Sequence, residues 1–485
     1  MTLDPPGDGP LVLAIDNGSQ STKVALVDAA GRVVASGRRQ LRPYAHPAPG
    51  HVVHPDDDLW DSIVAACREV LDAYRGDPAR IVGVGLCTIR FCRALLDADG
   101  ALVEPLLSWM DVRVGRPLPT AAEGGDPRVS RLAASSGYIT HRLTGAFTDT
   151  AANYQGAWPF DPATMAWSRD PAAFTALGMT PAMLPELVPP GAQLGTVTPD
   201  AAAATGIPAG LPVFATANDK AVEALGCGLL SPDTALLSLG TYIAAMTPGA
   251  VAQGSSEAYW VNTAAVPGEY LYESGGIRRG MWTVGWFRDL AGIAPGDEDL
   301  LNAEAAAVPR GCGGLMAVLD WLAPSDAPFR RGALLGFDGT QGRGAVHRAI
   351  LEGIALTMAG HVEAMEAALG RSFSTLLVSG GGAKADLMMQ LLADVFARPT
   401  RRTAIADGAL LGSAICAAVG AGVHPDVQAA VAAMVEPGAV FTPDPQGVAE
   451  YAAVRAVSAR LREFTDPLFR WTVERDSGQG VAHER

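Results

Sequence analysis

Apolar runs along this chain are short, and each stops at a glycine or a polar turn, the pattern of strands buried in a sheet. Leu11 to Ile15 is such a run, ending at Asp16 and Gly18; Lys23 to Asp28 is a second, "AAG" a turn, and Arg32 to Ser36 a third. An antiparallel meander is predicted, with polar groups at its first turn. Spacing then becomes helical from Asp56 to about Tyr74, and the acidic first turn "DDD" suits a helix dipole. "IVGVGLCT" (81–88) reads as a buried strand and "RALLDADGALVEPLLSW" as a hairpin around Asp99-Gly100. Helix-like "VSRLAASSGYITHRLTG" and a proline-rich irregular stretch lead on to Pro212.

The second half repeats this theme. "TALLSLGTYIAAMTPG" (234–249) is strand, glycine turn, strand. "STLLVSGGGAKADLMMQLLADVFARPTRR" is strand, glycine loop, helix, and "DGALLGSAICAAVGAG" is a small-residue helix. "SPD" punctuates near Leu230 to Asp233, dividing the chain into regions 10–230 and 231–465, with a polar tail, 466–485, whose end "ERDSGQGVAHER" is expected to fray.

Composition narrows the function. The chain has 485 residues, enough for two or more domains, and 49% apolar residues, which excludes a mostly disordered protein. A formal charge of −15 and the lack of a Lys/Arg stripe argue against a nucleic-acid partner. Six cysteines without C-x-x-C pairing read as reduced thiols of a cytoplasmic protein, and no signal peptide or membrane span is expected. Lysine occurs only at Lys23, Lys220 and Lys384, each inside a stretch singled out for its chemistry.

Three stretches carry that chemistry. "AIDNGSQSTK" sets the Asp16 carboxylate before a turn at Gly18 and Ser19, with Lys23 after it; such a turn presents amides, hydroxyls and a cation to phosphate oxygens, and an Asp there can hold Mg²⁺ through waters. "SLGTYI" offers a second glycine turn with Ser238 and Thr241 but no acid. "VSGGGAKAD" lets a flat ligand or a phosphate approach the backbone closely, although no Walker-type or G-x-G-x-x-G loop is present. A fourth stretch, "TANDKAVEALGCG", puts Asn218 and Asp219 where a buried strand gives way to a helix. There an Asp is either a ligand-facing carboxylate or a helix N-cap.

Taken in order with "GLCTIRFCRALLDADG", "SWMDVR" and "HRLTGAFTDTAANYQG", these stretches resemble the FGGY carbohydrate kinases, within the actin/hexokinase/Hsp70-like ATPase superfamily, over residues 11 to 460. The resemblance implies an α/β protein of two ribonuclease H-like (actin-like ATPase) domains with a catalytic cleft between them. It implies ATP-dependent phosphorylation of a hydroxyl on a small ketose, pentulose-like, or polyol. Asp219 would be the general base and, with Asp16, the metal-side carboxylate for Mg²⁺. Gly18, Ser19, Lys23, Gly240 and Thr241 would meet the phosphates, and Gly381, Gly382 and Asp386 the adenosine. Thr88, Ile89, Arg90, Phe91, Trp109, Asp111, Asn218 and Asp219 would line the sugar site, with Arg113 completing the "SWMDVR" pattern. Trp109 read alone is a core anchor.

The sugar segment departs from the glycerol and xylulose branches: Arg90 aligns with the glycerol-branch arginine, but Phe91 replaces its acid, so glycerol should bind poorly. The stretch from Arg113 to Tyr138 is short where the family carries a helical segment often at the dimer contact, which leaves a homodimer an open expectation. Two other readings are a catalytically inactive ATP- or sugar-binding sensor of the same fold and an Hsp70-like peptide-binding ATPase. The second lacks a β-rich substrate domain.

Overall fold

In a computed structural model, two mixed β-sheets are built on one plan; residues 9–252, 256–324, 326–404 and 407–479 are described. The first sheet has six strands, in the order Gln193–Thr196, Pro212–Ala215, Ile81–Thr88, Leu11–Asn17, Ser21–Asp28, Val33–Gln40. Its central hairpin, Leu11–Asn17 with Ser21–Asp28, is antiparallel, and Ile81–Thr88 joins the first of these strands in parallel. The second sheet has seven strands, in the order Tyr259–Thr263, Tyr270–Ser274, Ile243–Gly249, Thr234–Leu239, Thr375–Ser379, Thr400–Thr403, Pro437–Phe441. Its hairpin is again antiparallel, and Thr375–Ser379 again joins in parallel. The pairing senses repeat strand for strand, except that the second sheet gains one antiparallel edge strand, Tyr259–Thr263.

Each sheet has its own core, and a third core joins the lobes. Leu13, Ile15, Leu26, Ile63 and Leu86 are buried in the first lobe; Leu237, Ile243, Ile350 and Leu392 in the second. The shared core holds Val12, Val222, Leu225, Leu236, Leu411 and Ile415. Two helices build it: Asp219–Gly226 and Gly408–Gly420 cross with almost no side chain between them. A Cβ on Gly412 would overlap the carbonyl of Val222, and one on Gly226 the carbonyl of Gly408, so the small-residue pattern is what lets the backbones meet. Gly408–Gly420 also lies on the first sheet, where a Cβ on Gly85 would overlap the Ser413 carbonyl. A helix from the second half of the sequence therefore packs on the first lobe.

Several expected elements differ. The turn at Asp99-Gly100 closes locally, with Leu96 bridging Leu102 and the Val103 amide donating to Leu95, and the other edge of Ala94–Leu96 pairs with Arg131–Ala133, a partner the reading did not include. "VSRLAASSGYITHRLTG" divides into that strand and the helix Ser135–Thr144. The irregular stretch before Pro212 contains the edge strand Gln193–Thr196 and the helix Pro199–Thr205. The tail is helical over Leu461–Gln479, including the start of the stretch expected to fray; residues 480–485 of that stretch lie outside the described residues. An Arg330–Asp466 ion pair at 2.7 Å and Arg470 stacked 3.8 Å over the Phe329 ring hold it down. All six cysteines are buried and free, and no helix among the described residues is long and apolar enough to cross a membrane.

Candidate active site

Asn218, and not Asp219, caps the helix Asp219–Gly226. Its side-chain oxygen accepts from the Ala221 amide at 3.1 Å, and its amide group donates to the Ala152 carbonyl at 3.0 Å and to Asn262 at 2.9 Å. Asp219 is thereby left at the first helical position, with its side chain 29% exposed. One oxygen, Oδ1, accepts from the Lys220 amide at 3.0 Å and lies 3.6 Å from Nε of Arg90. Oδ2 has no hydrogen-bond partner among the described residues. Burial raises the Asp219 carboxyl above the ordinary carboxylate range, against the opposing pull of Arg90 and Lys220.

Asp16, at the end of the first strand, is 6% exposed and close enough to Asp219 for the two charges to interact. Burial pushes its pKa up to about 6; Lys23 opposes this, while Asp219 and Asp407 add to it. Lys23 stands opposite Asp16 in the hairpin register, and its Nζ is 3.6 Å from Asp16 and 2.6 Å from Asp407 of the second lobe. Among the described residues no three acidic, His or Cys side chains gather as a complete metal cage. Two carboxylates with too little countercharge nevertheless suit a magnesium ion that keeps its waters and shares nucleotide oxygens.

The second turn faces the cleft without an acid. Gly240 and Thr241 form it, and their carbonyls accept from the amides of Met281 and Gly280 at 3.2 and 2.7 Å, which fixes its shape. Ser238, the hydroxyl noted beside Thr241 in this turn's sequence, is buried and bonded elsewhere. Its hydroxyl contacts Glu223 at 2.8 Å and Lys220 at 2.8 Å, and Ser379 donates to the same Glu223 at 2.7 Å. Glu223 thus ties together three stretches that are far apart in sequence, those of Asp219, Ser238 and the glycine loop. Burial works against its ionisation, yet Lys220 and the two serines hold its pKa below the usual value.

In the glycine loop Gly380 has a φ of 85°, and a Cβ there would meet the Leu239 carbonyl oxygen at 2.6 Å. Gly381 faces open space and Gly382 is buried. Asp386 is exposed and paired with Arg402 at 2.5 Å. The remaining phosphate-turn residues, Gly18 and Ser19, lie at the open tip of the first hairpin.

The cluster around Arg90 draws on both lobes. Arg90 makes a two-pronged pair with Glu273, both bonds 2.8 Å, across from the first lobe to the second. Its guanidinium lies 5.1 Å from the rings of both Phe91 and Trp260. Phe91 itself has a φ of 61°, a conformation costing a bulky residue about 1 kcal/mol or more and typical of functional sites. Trp109 is 44% exposed, so it is not the core anchor its residue type indicates. Thr88 and Ile89 are buried: the Thr88 hydroxyl meets Ser135 at 2.8 Å, and the Ile89 amide donates to the Asn17 carbonyl at 2.9 Å. Asp111 brings no free carboxylate, because Arg113 and the Val52 amide occupy both its oxygens.

Sequence reasoning missed Glu273, Trp260 and Asn262, which come from two strands of the second sheet. It also missed Gln155, which donates to Thr263 at 2.8 Å and to Asn262. A run such as "YLYES" carries no cue beyond a charged residue among apolar ones. A separate cavity of about 780 Å³ shares none of the cleft residues, and its Asp57, Tyr138 and Arg142 bond to one another.

This arrangement can be set beside known proteins. Models of the N- and C-terminal domains of the FGGY family of carbohydrate kinases match residues 11–123 with 120–226, and 235–421. The chain belongs to the FGGY family of carbohydrate kinases. It is 44% identical to a protein of Escherichia coli K12 named as the uncharacterized sugar kinase YgcE, over 96% of this chain and 95% of that one. The solved xylulose kinase of Rhodospirillum rubrum is 27% identical with a TM-score of 0.81, covering 95% of this chain and 100% of that one. The gluconate kinase of Lactobacillus acidophilus has a TM-score of 0.83 at 18% identity, over 94% and 98% of the two chains, a likeness of fold alone. The protein is a two-domain kinase that transfers a phosphoryl group from ATP to a hydroxyl of a sugar or polyol.

Proposed function

We propose that Asp219 is the general base of this kinase, acting on a small ketose, pentulose-like, or a polyol. The observation that carries the reading is the division of labour at 218 and 219. Asn218 caps the helix, so Asp219 Oδ2 is free to accept a proton. As the acceptor hydroxyl attacks the γ-phosphorus, its proton passes to Oδ2 and the bond to the β–γ bridging oxygen breaks, releasing ADP. A positioned base of this kind contributes ~10²–10⁴-fold.

Mg²⁺, when bound with ATP, neutralises phosphate charge; Asp16, with Asp219 on the acceptor side, would hold it through waters. Lys23 and the amides around Gly18, Ser19, Gly240 and Thr241 face the phosphates. Gly381 and Gly382 leave room for the adenosine, while Asp386 braces that loop through Arg402. Arg90, Phe91, Trp109 and Asn218 orient the acceptor, with Thr88 and Ile89 behind them. Asp111 acts one step back by fixing Arg113 and the Trp109 loop. The need for ATP and the six unpaired thiols support a cytoplasmic location.

ADP release over a panel of three- to six-carbon ketoses and polyols, with and without a chelator, tests this reading. Turnover of a ketose or polyol that vanishes on chelation and returns with Mg²⁺ is expected. Full turnover in chelator would remove the Mg²⁺ assignment.

A further inference from the structure

We propose that Glu273 sets the class of acceptor: it closes the sugar site to carboxylate-bearing sugars and keeps it for neutral ones. This rests on the kinase reading above, with Asp219 at the acceptor end.

Arg90 is the cation that an acidic sugar would need, since a guanidinium fork matches a carboxylate in two places at once. In this protein the fork is already filled, because Glu273 takes both terminal nitrogens at 2.8 Å. The third nitrogen, Nε, points toward Asp219 at 3.6 Å. Glu273 is fully buried, so it cannot swing out to water and surrender its place. The rings of Phe91 and Trp260, each 5.1 Å from the guanidinium, keep Arg90 from turning to a new partner.

The neighbouring cations are taken as well. Lys220 is paired with Glu223 at 2.8 Å, Lys23 with Asp407 at 2.6 Å and Arg113 with Asp111 at 2.8 Å. Arg278, beyond Tyr242, donates to the Ala323 carbonyl at 2.7 Å. With Asp219 ionised, the trio Asp219, Arg90 and Glu273 carries a net −1, so an incoming carboxylate meets like charge, while Lys220, Lys23 and Arg113 are already paired with carboxylates. A neutral polyol meets Oδ2 of Asp219, the outer N–H groups of Arg90 and two aromatic faces, all of which suit hydroxyls and C–H surfaces. Glu273 acts through Arg90 and is a positioning residue.

The test compares matched pairs that differ only in the acid group: D-sorbitol with D-gluconate, D-arabinitol with D-arabinonate, and a ketose series alongside. kcat/KM comes from ADP release, and Kd from calorimetry with a non-hydrolysable ATP analogue. In the wild-type enzyme the best neutral acceptor should exceed its matching acid by about 10²-fold or more, since like charges in a desolvated site repel strongly. Glu273→Gln should shrink that ratio at least about 10-fold by tightening aldonate binding to the freed fork. The double variant Arg90→Gln/Glu273→Gln should reject aldonates again. A wild-type enzyme that prefers aldonates, or a Gln variant with an unchanged ratio, overturns the proposal. If the buried Gln variant fails to fold, the wild-type ratio decides alone. The base assignment fails by a different readout, undiminished turnover of the best neutral acceptor in Asp219→Asn, whereas the acceptor-class proposal is read in Glu273→Gln with Asp219 intact.

Discussion

The two hairpins that open the lobes are the same piece of structure used in two ways. In the first, Asp16 stands two residues before the turn glycine, Gly18; in the second, Ser238 stands two residues before Gly240. Both hairpins are antiparallel, and both have a parallel partner strand on the other side. Asp16 nevertheless keeps a short-handed carboxylate in the cleft, raised to about 6, whereas Ser238 turns its hydroxyl to Glu223 and locks the lobes together. The scaffold was duplicated, and the charge was placed once. The proposed division into a metal-side and a neutral phosphate-side hairpin rests on that single asymmetry. The sheets differ in the same sense: among the described residues the second alone has the extra edge strand, and that strand with its neighbour brings Trp260 and Glu273 to Arg90 and Asn262 to Asn218.

Three substitutions sharpen the contrast. The largest effect is expected where the lobes touch through bare backbone. Gly412→Val drives a branched side chain into the Val222 carbonyl and should cost about 3 kcal/mol or more, or prevent folding, by urea denaturation. Near-wild-type stability would mean that the helices slide past one another.

Asp16→Asn comes next. Turnover should fall about 10²-fold, with a raised Mg²⁺ requirement. The ligand-free protein should move the other way. The folded pKa of Asp16 lies above its unfolded value, so the ionised carboxylate opposes folding at pH 7, by up to about 3 kcal/mol. The Asn variant should therefore be more stable at pH 7, with the gain disappearing as pH falls through 6 toward 4. Unchanged stability at both pH values would show that Asp16 has its full countercharge.

Ser238→Ala should have the smallest effect. It removes one partner of a buried Lys–Glu pair and should cost about 1–2 kcal/mol of stability with kcat within about twofold of wild type. A large loss of kcat would show that Ser238 serves the reaction and not only the Lys220–Glu223 pair.

The sequence made legible whatever is local. The hairpin turns, the glycine loop and the carboxylates at 16 and 219 are each read from a few adjacent residues. The order of these stretches was enough to bring in the family. What was not legible depends on partners far away in the chain. That Asn218 rather than Asp219 would cap the helix depends on Ala152 and Asn262 gripping its amide. That Asp111 would be spent on Arg113 and Val52, that Ser238 would serve Glu223, and that Glu273 would cross the cleft to Arg90 are all consequences of tertiary placement. The tail helix is similar: "ERDSGQG" has poor helical character, and the contacts of Asp466 and Arg470 hold its stem in place.

The central claim is that Asp219 removes the proton from the attacking hydroxyl. Single-turnover phosphoryl transfer by Asp219→Asn, measured from pH 4 to 9 beside ATP binding, tests it most directly. The account predicts a rate at least about 10²-fold slower, an ATP Kd within a few fold of wild type, and loss of the wild-type acid limb. In the wild type that limb should lie above the ordinary carboxylate range, because burial raises the pKa and the ionised form is the active one. An Asn variant as fast as the wild type, with its acid limb intact, would contradict the account.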